Sequence, residues 1–413
     1  MARVEPFRGW RPRLDVCAQV ASPPYDVVSS AEAREMAANN PLSFLHVVKP
    51  EIDLDPGVDI YAPEVYAKGA ENLRRLVAEG YLVREQSPAL YLYRQRMGEH
   101  VQTGLVAGAS IDEYEADLIK KHEHTRRVKE DDRTRHVDAL DANTGPVFLT
   151  YRAQASIDQL VARIADRTPA YDFIAPDGIQ HVLWVVDDLA DREELVEAFR
   201  QIPELYVADG HHRSAAGTRI RALRREANSA HTGEEPYNFF LSVIFPDNQM
   251  MIMDYNRVVR DLNGLNPDSF VAGVRKRFEV DAIGEGRPPA AKYFGMYLEG
   301  KWYRLRARED SYPCEDPVRS LDVAILQENL LAPVLGIGDP RSDDRIDFVG
   351  GIRGLGELER RVDGGDWAVA FALNPTSIDQ LFAVADAGLV MPPKSTWFEP
   401  KLRSGLIVRP LSE

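Results

Sequence analysis

The chain has 413 residues, 44% hydrophobic and 28% charged, with 50 Lys and Arg against 65 Asp and Glu for a formal net charge of −15. That length and balance describe a folded protein of two or three domains, and a field of that sign argues against sequence-independent nucleic-acid binding. Two cysteines, Cys17 and Cys314, give no disulfide framework and fit a reducing compartment.

In chain order, "MARVEPFRGWRPRLD" carries no apolar run of the signal-peptide kind. No later stretch approaches the ~18 apolar residues of a membrane helix. A cytoplasmic protein without a membrane partner is expected. Ser29 and Glu32 have capping-box spacing, so a helix is expected to begin there. "EVYAKGAENLRRLVAEG" has helical periodicity and a C-capping glycine, Gly80. "ALYLYRQ" and "TGLVAGAS" read as strands about a turn at Gly98 and Glu99.

The middle third alternates: strand "GPVFLTYR", helix "SIDQLVARIAD", strand "HVLWVVDD", helix "DREELVEAFRQI", strand "ELYVAD", helix "RSAAGTRIRALRREA". Such alternation predicts a mixed α/β (α+β) fold, with helices layered on strands. "FFLSVIFPDNQMMIMDYNRVV" reads as a hairpin turning at Pro246, Asp247 and Asn248. Three regions are expected: an N-terminal α+β region over 1–110, a central α/β region over 111–260, and a C-terminal α+β region over 261–413.

Two stretches carry chemistry. In "LYVADGHHRSAAGTRI" an apolar strand ends at Asp209, Gly210 allows a tight turn, and helical spacing resumes at Ala216 and Ile220. That places His211, His212 and Arg213 at a helix N-terminus, where free N–H groups and the dipole bind phosphate. Arg213 adds a bidentate fork and is expected at the mouth of a cleft. Asp209 could hold a metal ion or accept a proton. The competing reading makes Asp209 a helix cap and the histidines exposed turn residues.

The second stretch, "IKKHEHTRRVKEDDRTRH", concentrates Lys120, Lys121, Arg126, Arg127, Lys129 and Arg133 around His122, Glu123 and His124. It suggests an anion site converging on the same cleft, or else a solvated helix laced with ion pairs. His122 and His124 share a face on a strand but not on a helix. Fainter signals are the rigid turn "SPPYD" with Tyr25 and Asp26, and "MPPKSTWFEPK", whose Lys394, Ser395, Thr396 and Lys401 could bind oxyanions.

The ordered set "PFRGWRP", "SPPYDVV", "NPLSFLHVVKPEID", "KKHEHTRRVKEDDR", "VADGHHR" and "MPPKSTWFEPKLRSGL" resembles the DUF1015 family across essentially the whole chain. The Asp-Gly-His-His-Arg run resembles the phosphate-binding strand-turn-helix of the ParB/sulfiredoxin-like superfamily, and in particular its free-serine kinases. That resemblance implies a cytoplasmic kinase phosphorylating free L-serine with Mg²⁺ and a donor such as ATP, ADP or pyrophosphate. It assigns catalysis to Asp209 and His211, and donor phosphate to Gly210, His211, His212 and Arg213; the basic second stretch is expected to add Lys121, Arg126, Arg127 and Arg133 to the phosphate site. The base is expected to be Glu123, with Asp26 second; Asp26, His122 and His124 would contact substrate, and Asp209 the metal. Two other functions compete: a metal-dependent phosphohydrolase using His122, His124, His211 and Asp209, and a non-enzymatic ParB-like regulator. The expected partners are small molecules, with a homo-oligomer admissible.

Overall fold

A computed structural model describes residues 2–412. It divides into two units, Met1–Met250 with Pro400–Glu413, and Met251–Glu399. Ser110, where the first regional boundary was expected, closes a strand within the first unit's sheet.

The first unit is built on a nine-stranded mixed sheet: β1 (Val4–Glu5), β2 (Leu90–Met97), β3 (His100–Ser110), β4 (Ile119–Lys120), β5 (Val147–Tyr151), β6 (Tyr171–Ile174), β7 (Gln180–Val186), β8 (Leu205–Asp209) and β9 (Phe239–Pro246). Their order is β4-β8-β5-β9-β3-β2-β7-β6, with β1 on β3. Only β4–β8 and β5–β9 run parallel. Alternate residues of the strands supply one core face: Leu90 and Leu92, Leu105 and Ala107, Val147 and Leu149, Leu205 and Val207. Against it pack two helices whose apolar residues recur at helical spacing, Ile157, Leu160 and Ile164, then Leu195 and Phe199. The alternation read from the middle third therefore makes one layered core.

Three further helices matter for the site: α1 (Ser30–Ala37), α2 (Pro63–Ala78) and α3 (Arg127–Leu140). The Ser29 capping box forms as expected, with Ser29 Oγ accepting from the Glu32 amide and Glu32 accepting from the Ser29 amide. α1, α2 and the end of α3 close a second core around Phe44, Leu73 and Val408.

The C-terminal segment returns to this core. Ser404 bridges Ser22, Val408 bridges Trp10, and Arg409 and Pro410 pair with Asn143 and Ala142. It passes over Phe44 at Gly405, which has φ +87°, and a Cβ there would lie 2.6 Å from the Phe44 ring. Only glycine fits both constraints.

The second unit holds a six-stranded antiparallel sheet: β10 (Tyr255–Val259), β11 (Phe278–Ile283), β12 (Tyr293–Leu298), β13 (Lys301–Ala307), β14 (Ile346–Gly350) and β15 (Val369–Leu373), ordered β11-β13-β12-β15-β10-β14. The hairpin expected at Pro246–Asn248 does not form. β9 pairs with β3 and β5, while the strand Met251–Met253 pairs with Trp397–Glu399. Every residue of β9 is buried, so it is a central strand that satisfies both edges before the chain leaves the first unit.

Gly405→Ala should destabilise the protein by at least about 2 kcal/mol, from left-handed strain and the Phe44 clash together. That is a melting temperature about 4–8 °C lower, read by calorimetry.

Candidate functional site

β8 ends at Asp209, and α4 (His211–Ala227) begins two residues later. Gly210 makes the turn at φ +98°. A Cβ on it would also lie 3.1 Å from Arg213 Nε and 3.2 Å from Arg213 Cζ, because the guanidinium folds back over the turn. The amides of Arg213 and Ser214 donate to the Gly210 carbonyl, at 2.8 and 3.0 Å. Those of Gly210, His211 and His212 have no backbone acceptor among the described residues. Three N–H groups are thus available at the positive end of a seventeen-residue helix.

Asp209 does not cap that helix. Its Oδ2 accepts from Lys401 Nζ at 3.0 Å, and its Oδ1 lies 3.8 Å from Arg213 Nη2. Burial alone would raise this carboxyl, but the Lys401 and Arg213 charges hold it well below the usual carboxylate range. Lys401 stands in the late loop noted in the sequence and was not assigned to the site. Arg213 is no mouth residue: its side chain is only 11% exposed. It donates to the Pro146 carbonyl and reaches Asp26 Oδ2 at 3.5 Å. Asp26, from "SPPYD", thereby joins the motif.

The second basic stretch converges on the same turn, in part. β4 lies beside β8, pairing Lys120 with Tyr206, so the chain leaving β4 passes the motif. His122 is buried with its ring perpendicular to that of His211 at 4.5 Å between centroids. The Val207 carbonyl lies beside His122 without hydrogen-bond geometry to either ring nitrogen. His211 Nε2 is buried without a partner as well. Burial pushes His122 down to about 4 and His211 well below its ordinary value, so both are neutral imidazoles. His212 Nε2 accepts the Arg126 amide at 3.1 Å, so its proton sits on Nδ1.

Other expected members stand apart. Lys121 is taken by the Tyr114 carbonyl at 3.1 Å and Asp117 at 3.3 Å. Arg126 and Arg127 have exposed side chains, and His124 is exposed while His122 is buried. Residues 121–126 form neither strand nor helix, so the shared strand face for the two histidines does not exist. Glu123 adjoins His122 in the same segment, half-buried. Arg133 lies one helical stretch further on, nearly buried, with Cζ 3.8 Å from the Tyr25 ring centroid. Asp132 pairs with it at 2.8 Å.

The residues do not fit a protein-built metal cage. Both Asp209 oxygens face cations, and no group of three His, Cys, Asp or Glu suited to a metal occurs among the described residues. Of the hydrolase constellation, His122 and His211 are in ring contact with Asp209 beside them, while His124 is exposed. No helix of the described residues is long and apolar enough to cross a membrane.

A family model described as "Protein of unknown function (DUF1015)" matches residues 4–324. No curated protein matches the chain. Among solved structures, a free serine kinase in complex with AMP is 12% identical, covering 71% of this chain and 86% of its own, at a TM-score of 0.35. SbnI with C-terminal truncation from Staphylococcus aureus is 13% identical, with coverages of 74% and 87%, at 0.39. A conserved hypothetical protein from Pyrococcus furiosus is 13% identical, with coverages of 74% and 95%, at 0.35.

The buried imidazoles set an acid limit. Burial lowers His122 and His136 to about 4, His181 to about 3, and His211 well below 6.5. Below pH 6.5 the unfolded chain binds protons that the fold refuses. Stability is therefore full above pH 6.5 and should fall toward pH 4 by about 1.4 kcal/mol per pH unit for each such histidine. Asp209 adds its own loss only below its ordinary value of 3.8. His122→Leu should flatten this slope by one histidine's share, as read from urea denaturation across that range.

Proposed function

The chain belongs to the DUF1015 family, and from its site we propose a small-molecule phosphotransferase, a kinase that phosphorylates a hydroxyl acceptor such as free L-serine. The observation that carries this is the turn itself. Three free amides at the start of α4 lie beside a guanidinium folded over Gly210, and Lys401 stands across Asp209. Phosphoryl transfer asks chiefly for positioning and charge neutralisation, and these groups provide both.

In this reading the amides of Gly210, His211 and His212 with Arg213 hold the donor phosphates, as the resemblance of Asp209–Arg213 to the phosphate motif implies. The acceptor oxygen bonds to phosphorus as the bond from phosphorus to the donor's leaving oxygen breaks. The hydroxyl proton passes to a carboxylate. Glu123 is the first candidate for that base; Asp26 is the second and lies on Arg213. Asp209 serves as a positioning carboxylate that holds Lys401 and Arg213 in place. Buried neutral His211 can polarise a phosphate oxygen without adding charge. ATP, ADP and pyrophosphate are the donors to be compared; Mg²⁺, when bound to the donor, would neutralise phosphate charge.

Incubation with each donor and a panel of hydroxyl amino acids, followed by mass spectrometry, should reveal O-phosphoserine. Arg213→Lys keeps the charge but loses the bidentate fork. It should lower kcat/KM about tenfold to hundredfold, the worth of one charge-assisted contact, and lower the melting temperature as well, because the buried fork also holds the Pro146 carbonyl and Asp26. Glu123→Gln should abolish turnover if Glu123 is the base; if only Asp26→Asn does so, Asp26 holds that role. Absence of phosphorylated product with all three donors would refute the kinase reading.

A further inference from the structure

A cavity of about 540 Å³ lies along the helix Leu189–Arg200, beside Pro6 and Pro88. That is within the range of about 300–1,000 Å³ that small-molecule sites occupy, and none of its lining residues belongs to the start of α4. One face of the helix supplies most of the wall, with Leu189, Arg192, Val196 and Arg200 recurring at helical spacing. Leu195 and Phe199 of the same helix turn into the core, while Leu189 stays 60% exposed and Val196 is half-buried. Both ends of the wall are fixed: the Asp188 side chain accepts the Asp191 amide at 3.1 Å, and the Ala2 amide donates to the Ile202 carbonyl at 2.8 Å.

The charges on this wall are unequally met. Glu197 pairs with Arg200 at 3.0 Å, and Glu193 is exposed, where water serves it. Asp191 and Glu194 are taken by Arg163, at 3.0 and 2.6 Å. Val4 faces the core with Leu195, so strand alternation turns the Glu5 carboxyl to the opposite face, among Arg3, Glu234 and Arg409. Arg192 is left half-buried with no carboxylate partner among the described residues. Its Nη1 donates to the Pro88 carbonyl, which fixes the guanidinium at the wall, and its Nε is buried without a partner. A partly desolvated cation with no counter-charge is costly, and a bound anion would remove that cost. Glu193 and Glu197 on the same wall disfavour a polyanion. A single negative charge on an apolar body matches one unmet guanidinium beside Pro6, Pro88, Leu189 and Val196. We propose that this cavity binds an alkyl carboxylate, with the carboxylate on Arg192 and the hydrocarbon chain against those four side chains.

Calorimetric titration of the full chain with octanoate, kept below its micelle-forming concentration, tests this. Octanoate should bind as one molecule per chain. Octanol and octylammonium, which share its chain but lack the carboxylate, should bind about tenfold or more weakly, the worth of one hydrogen bond between charged groups. Arg192→Gln should weaken octanoate by a similar factor and leave octanol unchanged. Val196→Trp, which fills the cavity without removing a charge, should weaken both and serves if Arg192→Gln does not fold. The proposal is overturned if octanoate fails to bind at millimolar concentration or binds as several molecules per chain. It is equally overturned if octanol binds as tightly, or if Arg192→Gln folds and leaves octanoate affinity unchanged.

Discussion

An ion pair between residues 192 positions apart holds the candidate site in register: Lys401 Nζ lies 3.0 Å from Asp209 Oδ2. Asp209 ends a strand whose place is set by its neighbours on both edges, β4 and β5. Lys401 opens the returning segment that bridges Ser22 three residues later. The same segment therefore fixes Lys401 against Asp209 and anchors the start of the loop bearing Tyr25 and Asp26. Taking a carboxylate out of water is costly unless its charge is met. Asp209 is met by two cations, and its depressed pKa records that compensation.

From that pair the charges alternate outward: Lys401, Asp209, Arg213, Asp26. A second run, Tyr66, Asp132, Arg133 and Tyr25, lies alongside it. Networks of this kind add little stability over well-packed apolar groups, yet removing one member leaves another buried and unpaired. Their value is geometric, since each partner restricts the next. The neutral histidines complete the arrangement. Packed edge to face, His122 and His211 cannot both be charged, so the ground behind the α4 amides stays neutral while cations flank it.

What the sequence revealed follows the range of the forces involved. The capping box at Ser29, the two strands about Gly98, the alternation through the middle third and the Asp209–Arg213 turn all rest on local spacing, and all appear in the fold. The hairpin at Pro246–Asn248 was misread because local turn chemistry is the same whether the next strand pairs with its predecessor or crosses into another unit. Lys401 was visible as a loop lysine but could not be joined to Asp209, since no local pattern records a contact across 192 residues. Lys121 and His124 were grouped with the site on proximity in the chain. An irregular segment, 121–126, turns them away while burying His122. A cavity beside Arg133 has no signature in the sequence, because its wall comes from at least six separate stretches.

A crystal structure of the protein with ADP would show whether the start of α4 binds phosphate. Phosphate oxygens should lie within hydrogen-bond distance of the His211 or His212 amide and the Arg213 guanidinium, with Asp209 still paired to Lys401. ADP bound with its phosphates elsewhere, and the α4 amides facing only solvent, would contradict phosphate binding there.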